Sequence, residues 1–380
     1  MKSISLAPPS GSQYEQKLKS LLDKSGVNIN GTASFDVQVH NPAFFHKVLA
    51  EGSVGLGESY MNGWWDCKQL DELFAKLLAS GLDKAARLDW GTQLIGLEAK
   101  LTNLQNINFA GKNAAHHYNL GNELFAKMLD KRMTYTCGYW KNAKTLDEAQ
   151  EAKLDLTCKK LYLEPGMHIL DIGCGWGSLS KFIAENYDVK VTAINVSDEQ
   201  LALARERCKG LPINLIKQDY RNVEGEYDRI VSLGMFEHVG LKNYRTYFEV
   251  VHRCLKNGGL SLLHTIGGNI SDKHSDPWIS KYIFPNCLIP SLAQIAKATE
   301  EFFVIEDLHN FGPDYDKTLM EWHKNFNLNW QELKSAYDEK FFRMWNYYLL
   351  SCAGSFRSRH TQLWQLVFSK NSTVIYQALR

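Results

Sequence analysis

The stretch Leu170-Asp171-Ile172-Gly173-Cys174-Gly175-Trp176-Gly177 decides the fold. An apolar run enters three alternating glycines, and a helical pattern over 178–187 starts directly behind them. A strand turning sharply through glycines into a helix presents bare backbone at the carboxyl edge of a sheet, where open α/β folds bind ligands. Dinucleotide-binding turns place a third glycine three residues after the second. Here that position is Ser178, so the spacing argues against a nicotinamide cofactor.

Outward from this turn, short apolar runs alternate with amphipathic helices. Runs at 168–172, 190–195, 213–217, 229–233 and 260–264 read as strands, with helices at 178–187, 198–208 and 244–255 between them. That rhythm predicts a mostly parallel sheet covered on both faces. It stops over 267–290, a length that suggests a lid or substrate-binding insertion. A helix at 291–300 then leads into the apolar run 302–306. Long helices at 318–333 and 339–357 follow, and 362–368 would add a final antiparallel strand. Before residue 111 the signals are helical and interrupted. Leu18, Leu21 and Leu22 mark one piece and Leu70, Leu73, Phe74, Leu77 and Leu78 another, while 52–65 reads as loop with short helix. After the polar stretch 102–113, a helix carries Leu120, Leu124, Phe125, Met128 and Leu129. The reading is a helical amino-terminal domain, 1–110, and a catalytic domain, 111–380.

The 380 residues hold 43 Lys and Arg against 42 Asp and Glu, so no basic excess points to nucleic acid. The first residues lack the features of a secretory signal, and no stretch has 18 consecutive apolar residues, so a cytoplasmic location is expected. The eight cysteines form no CxxC pair, which gives no metal site and predicts mostly free thiols. Aromatics cluster after residue 280. Most would pack in helix cores, and a few would line a slot for an acyl chain.

With Asp171 ahead of the glycines, DxGxGxG resembles the first motif of the Rossmann-like S-adenosylmethionine methyltransferases. The resemblance implies that fold, a seven-stranded mostly parallel sheet, and cofactor contacts from Asp171, Gly173, Cys174, Gly175 and Gly177. Such enzymes usually end the second strand in an acidic residue that binds the ribose. Here the end is Asn195, and Asn195 with Gln200 would hydrogen-bond in its place. Asp219 and Tyr220 then fall beside the adenine, the first as acceptor for its amine, the second as an apolar wall. Surface polarity alone is the rival account of Asp219.

A closer resemblance rests on Tyr135-Thr-Cys-Gly-Tyr-Trp140, Val231-Ser-Leu-Gly-Met-Phe-Glu-His238, Leu262-Leu-His-Thr-Ile266, Phe284-Pro-Asn286, Asn310-Phe-Gly-Pro-Asp-Tyr315 and Cys352-Ala-Gly-Ser-Phe-Arg357. Together with the glycine turn, these resemble bacterial cyclopropane fatty acid synthases and the related mycolic acid cyclopropane synthases. The family implies transfer of a methylene group from S-adenosylmethionine to the double bond of an unsaturated phospholipid chain. An alkene attacks the sulfonium methyl, and the resulting cation closes a ring when a base removes a proton from that methyl. The family's base is a bound bicarbonate. Carried over by residue, its holders are Cys137, Glu237, His264 and Tyr315, with the backbone at Ile266, while Tyr135 and Thr136 reach the cofactor. Taken singly these residue types also fit plain structural roles: a satisfied histidine, a helix-capping glutamate, a buried thiol. Cys352 is a family candidate for the nucleophile, though direct attack by the alkene leaves it no covalent task. Tyr315 or Phe302 would stabilise the cation through their rings. The family further implies a homodimer that contacts the inner face of the membrane transiently. The rival readings are a methyltransferase leaving a methyl-branched or hydroxylated lipid, and a lipid-binding protein without turnover.

Overall fold

The computed structural model describes residues 11–82, 121–371 and 375–380. Its first part comprises helix α1 (Gly11–Leu22), a two-residue strand β1 (Gln38–Val39), helix α2 (Ala43–Met61), strand β2 (Trp65–Asp66) paired antiparallel with β1, and helix α3 (Leu70–Ala79). The stretch expected as loop with short helix is instead helical up to Met61. The chain kinks at Gly52, whose φ of 57° and ψ of −128° suit a residue without Cβ, and then resumes its helix. Gly57 on α2 lies so close to the Trp278 indole that an added Cβ would stand 2.3 Å from the ring. The polar stretch 102–113, Leu120 and the expected domain boundary lie outside the described residues.

Helix α4 (Asn122–Met128) and helix α5 (Leu146–Lys160) precede the sheet. The sequence reading passed over α5, although Thr145 and Glu148 form a reciprocal capping box at its start. The sheet follows as β3 (His168–Ile172), α6 (Ser178–Asn186), β4 (Lys190–Asn195), α7 (Asp198–Arg207), β5 (Ile213–Lys217) and β6 (Tyr227–Leu233). Then come α8 (Tyr244–Cys254), β7 (Leu255–Gly268), α9 (Pro277–Tyr282), α10 (Leu292–Thr299), β8 (Val304–Asn310), α11 (Pro313–Leu328), α12 (Trp330–Leu333), α13 (Glu339–Arg357) and β9 (Thr361–Ser369). Strand order is β5-β4-β3-β6-β7-β9-β8. Strands β3 to β7 run parallel, and β9 inserts antiparallel between β7 and β8. This is the seven-stranded Rossmann-like methyltransferase fold expected from the sequence. Two expectations shift: the strand after α10 starts at Val304 rather than 302, and the long helix begins at Pro313 and breaks at Asn329.

One apolar cluster joins the amino-terminal helices to α11 and α13, with Phe44, Trp65, Leu73, Trp322, Trp345 and Leu349 all buried in it. Within the Cys352–Arg357 motif, Gly354 admits α3 against α13, and Arg357 reaches Asp71 at 2.6 Å and Asp316 at 3.0 Å. The motif therefore fastens α3 to the sheet-bearing part. A Cβ at position 354 would lie 2.4 Å from the Asp71 carbonyl oxygen and 2.7 Å from Phe74 Cβ. Helix propensity favours alanine there by about 1 kcal/mol, whereas overpacking against backbone costs roughly 1–3 kcal/mol. We expect Gly354→Ala to lower the urea midpoint; a raised midpoint would show that α3 does not seat against α13 in this way.

Candidate active site

The glycine turn behaves as its sequence demands. Gly173 and Cys174 donate their amides to the Ile194 carbonyl at 2.9 and 3.1 Å, which ties the turn to the end of β4. Gly173 has φ 85°, and a Cβ on it would meet Met235 at 2.8 Å. Ser178 Oγ donates to the carbonyls of Arg132 (2.6 Å) and Met133 (3.1 Å), pulling the 130–137 loop across the turn. Thr136 rests on Gly234, where a Cβ would lie 2.7 Å from its methyl group. The result is a cavity at the carboxyl edge of the sheet, lined by Tyr135, Thr136, Asp171, Gly173, Cys174, Gly175, Asn195, Gln200, Asp219 and Tyr220. Gly177 is the exception among the expected cofactor residues: it faces Cys208 on the far side of the turn.

The lining groups are already engaged in ways the sequence did not reveal. Asp171 accepts from Ser180 Oγ at 2.6 Å, and burial raises its carboxyl to about 6. Asn195 Nδ2 donates to the Gly175 carbonyl at 3.3 Å and to Gln200 Oε1 at 2.8 Å, bracing turn and helix α7 together. Asp219 receives Arg221 on both oxygens at 2.8 Å, so its charge is compensated internally. Tyr220 forms a wall, with its hydroxyl buried and without a hydrogen-bond partner among the described residues. Arg221, His238 and Phe284 also line the cavity and were missed. His238 follows Glu237 directly in the quoted motif, and burial lowers its imidazole to about 4.

Beyond Thr136 and Met235 lies a second, sealed group of polar side chains. Glu237 sits on the turn after β6 and is 4 % exposed; its Oε1 accepts the Ile266 amide of β7 at 2.7 Å. Its Oε2 has no partner among the described residues, and burial lifts the carboxyl to about 7. His264, two residues before Ile266 on β7, is also buried, and its Nε2 has no partner among the described residues. Burial first, then the charges of Lys153 and Lys160, hold its imidazole well below the usual range. Tyr315 on α11 couples electrostatically to Cys137, Tyr135, Glu237 and Cys352, and burial raises its hydroxyl far above the normal phenol range. Cys137, on the loop before α5, packs near Thr318, one turn of α11 beyond Tyr315, with 4.0 Å between the thiol sulfur and the hydroxyl oxygen. The structure thus joins Ile266 to Glu237 by a hydrogen bond and Tyr315 to Cys137 and Glu237 through their charges, with His264 two residues before Ile266 on β7. Tyr135 and Tyr315 both pack on Trp322, at 5.1 and 5.9 Å between rings. Phe302 is not among them: it lies under Arg245 and beside His252, so the expectation that its ring serves the site is overturned.

Residues 106–366 match the family described as mycolic acid cyclopropane synthetase. The chain is 53% identical to cyclopropane-fatty-acyl-phospholipid synthase of Escherichia coli strain K12 over 92% of both chains. It is 36% identical to a probable fatty acid methyltransferase of Pseudomonas putida, covering 67% of this chain and 68% of that one. Among solved structures it resembles mycolic acid cyclopropane synthase CmaA1 complexed with SAH and CTAB. That comparison has 31% identity and a TM-score of 0.65, and covers 68% of this chain and 98% of the other.

The thiols near this site are unsuited to nucleophilic work. Burial pushes Cys352 up to about 12 and Cys137 well above its usual value, so neither is a thiolate near neutral pH. We expect iodoacetamide at neutral pH to leave both unmodified in the native protein while labelling all eight cysteines of the urea-unfolded chain, read by peptide mass. Rapid native labelling of Cys352 would restore it as a reactive group.

Proposed function

The chain belongs to the mycolic acid cyclopropane synthetase family, and from that premise we propose that it transfers a methylene group from S-adenosylmethionine to the cis double bond of an unsaturated acyl chain in a membrane phospholipid. The observation that carries this reading is the pairing of two compartments. A glycine-turn cavity of the cofactor-binding kind lies next in sequence to Glu237 on the turn after β6, and Glu237 Oε2 and His264 Nε2 are both buried without a partner among the described residues.

The glycine turn would receive the methionine end of S-adenosylmethionine, Asn195 and Gln200 the ribose, and Asp219 and Tyr220 the adenine. Tyr135 and Thr136, which line the same cavity, would hold the cofactor there, and its sulfonium would supply the electrophilic methyl. A carboxylate acceptor and an imidazole donor complement an anion bearing one proton, and so support bicarbonate as the occupant. Bound there, bicarbonate would supply the base for a proton of the added methyl. Glu237 would accept its hydroxyl, His264, Tyr315 and Cys137 would fix its oxygens, and the Ile266 amide would keep Glu237 in place. Tyr135, Tyr315 and Trp322 would exclude water, which would otherwise trap the cation as an alcohol. A methyl-branched product is the second reading, favoured by the similarity to a fatty acid methyltransferase.

Access for the lipid would involve the amino-terminal helices and the insertion 267–290, which exposes Ile270 (51 %) beside Lys273. Such a patch suits transient contact with the inner face of a membrane. Among the described residues no helix is long and apolar enough to cross one. Pairing of two copies would double the contact.

Incubation of the purified protein with labelled S-adenosylmethionine and vesicles of unsaturated phospholipid should yield a cyclopropane acyl chain by mass spectrometry; a methylated headgroup would overturn the proposal. Because Glu237 must be ionised to accept a proton and burial raises it to about 7, turnover should fall about tenfold per pH unit below that value. Glu237→Gln should lose roughly 10²–10⁴-fold in rate and keep its affinity for S-adenosylhomocysteine. An undiminished rate removes Glu237 from the chemistry.

A further inference from the structure

Helix α5 carries a polar face that is nevertheless sealed. Gln150, Lys153, Thr157 and Lys160 recur at helical spacing, and each is 0 % exposed. Opposite them, three neighbouring strands present a row of polar residues in register: His264 of β7, Gln365 of β9 and His309 of β8. Most of these buried polar atoms satisfy one another, Gln150 Oε1 and Gln365 Oε1 having no partner among the described residues, so the hydrogen-bond directions can be worked out in sequence.

The chain of directions starts at Thr157. Its single hydroxyl proton goes to the Lys153 carbonyl one turn earlier, at 2.8 Å. Thr157 Oγ1 is therefore an acceptor toward its other neighbour, Gln365, whose Nε2 stands 3.2 Å away. That contact sets the orientation of the amide, with nitrogen toward α5. The same nitrogen lies 3.4 Å from His264 Nδ1 and has a second proton to give. A ring nitrogen that accepts is bare, and a neutral imidazole then carries its proton on the other nitrogen. In His264 that atom is Nε2, which is buried and unpartnered.

We infer that Gln365 is a positioning residue: held by Thr157, it fixes His264 in the neutral tautomer protonated at Nε2, so that this buried atom is a hydrogen-bond donor. The consequence for turnover rests on the anion-holding role proposed above for His264. Two further features agree. Lys153 donates to Thr136 Oγ1 at 2.6 Å and Lys160 approaches His309 Nδ1 at 3.2 Å, so both ammonium groups are anchored on the same face of α5. Their charges oppose protonation of His264, which leaves the choice of tautomer as the variable that decides donor or acceptor.

The test is a two-bond proton–nitrogen correlation spectrum of protein labelled with ring-15N histidine. The signal of His264 among the 12 histidines is identified by its loss in His264→Gln. We expect wild-type His264 to show a bare Nδ1 and a protonated Nε2 at neutral pH. Gln365→Leu should shift it toward the other tautomer and lower kcat roughly 10–100-fold, with KM for S-adenosylmethionine within about twofold. A wild-type ring protonated at Nδ1 or at both nitrogens overturns the inference, as does an unchanged tautomer in Gln365→Leu. If the leucine variant does not fold, the wild-type spectrum alone decides. A tautomer that shifts as expected while turnover stays unchanged supports the positioning role and overturns the part proposed for His264.

Discussion

Burying a carboxylate oxygen and an imidazole nitrogen without partners costs about 1–3 kcal/mol each, and Glu237 and His264 both bear that penalty. Their other atoms are held firmly: Glu237 Oε1 by the Ile266 amide, His264 Nδ1 by Gln365. The bare atoms are thus oriented before anything binds, which is what preorganised electrostatics requires. The direction of the pH dependence follows from the same burial. Glu237 is raised from its usual 4.5 to about 7, so the folded state holds its proton more tightly than the unfolded chain. The stability this contributes is present in full below 4.5 and is lost as pH rises through 7. The ionised form that the chemistry needs is therefore the less stable one, a strain that a bound donor would relieve.

Two short segments connect this pocket to the glycine-turn cavity. Tyr135 and Thr136 line the cavity while Cys137 belongs to the pocket. Likewise Met235 lines the cavity and Glu237, two residues on, is buried against the Ile266 amide. Thr136 seated on Gly234 brings those segments together, and only glycine at 234, with φ 68°, leaves room for it. Each compartment's geometry is consequently conditional on the other's backbone.

The parallel strands were legible because β3 and β4 are almost wholly buried and rich in apolar residues; β3, β4 and β5 have the limits expected from the sequence. Helix α5 was not legible, because the signal sought was an apolar stripe and the buried face here is Gln150, Lys153, Thr157 and Lys160. Its capping box at Thr145 and Glu148 was the available clue. Glycines misled in α2, where they permit a kink and close approach to Trp278 rather than a loop. In the site, a strand end is readable, and Glu237 and His264 stand on the turn after β6 and on β7 as the sequence placed them. The compensation of Asp219 by Arg221, and the displacement of Phe302, depend on side-chain packing that no spacing rule contains.

The amino-terminal helices reach the site through the insertion, by two kinds of force. Trp278 on α9 is buried against Gly57 of α2 and Tyr347 of α13, a contact that depends on shape. Glu58 of α2 adds charge: burial alone would raise its carboxyl, but hydrogen bonds from Lys281, Lys47 and Tyr282 outweigh that and hold it at about 2. A depressed carboxyl stabilises above its unfolded value of 4.5 and loses that contribution as pH falls toward 2, so the clamp is fully charged at neutral pH. Beyond α9 the chain passes through Phe284 and Pro285, which line the cavity, to Leu288, whose amide bonds the Glu237 carbonyl at 2.8 Å. Packing on the amino-terminal helices therefore bears on the wall of the cavity and on the backbone of Glu237 through one continuous segment. The exposed stretch around Ile270 and Lys273 lies before these anchors, between the end of β7 and the buried Trp278, so the groups that the chemistry requires are held apart from it.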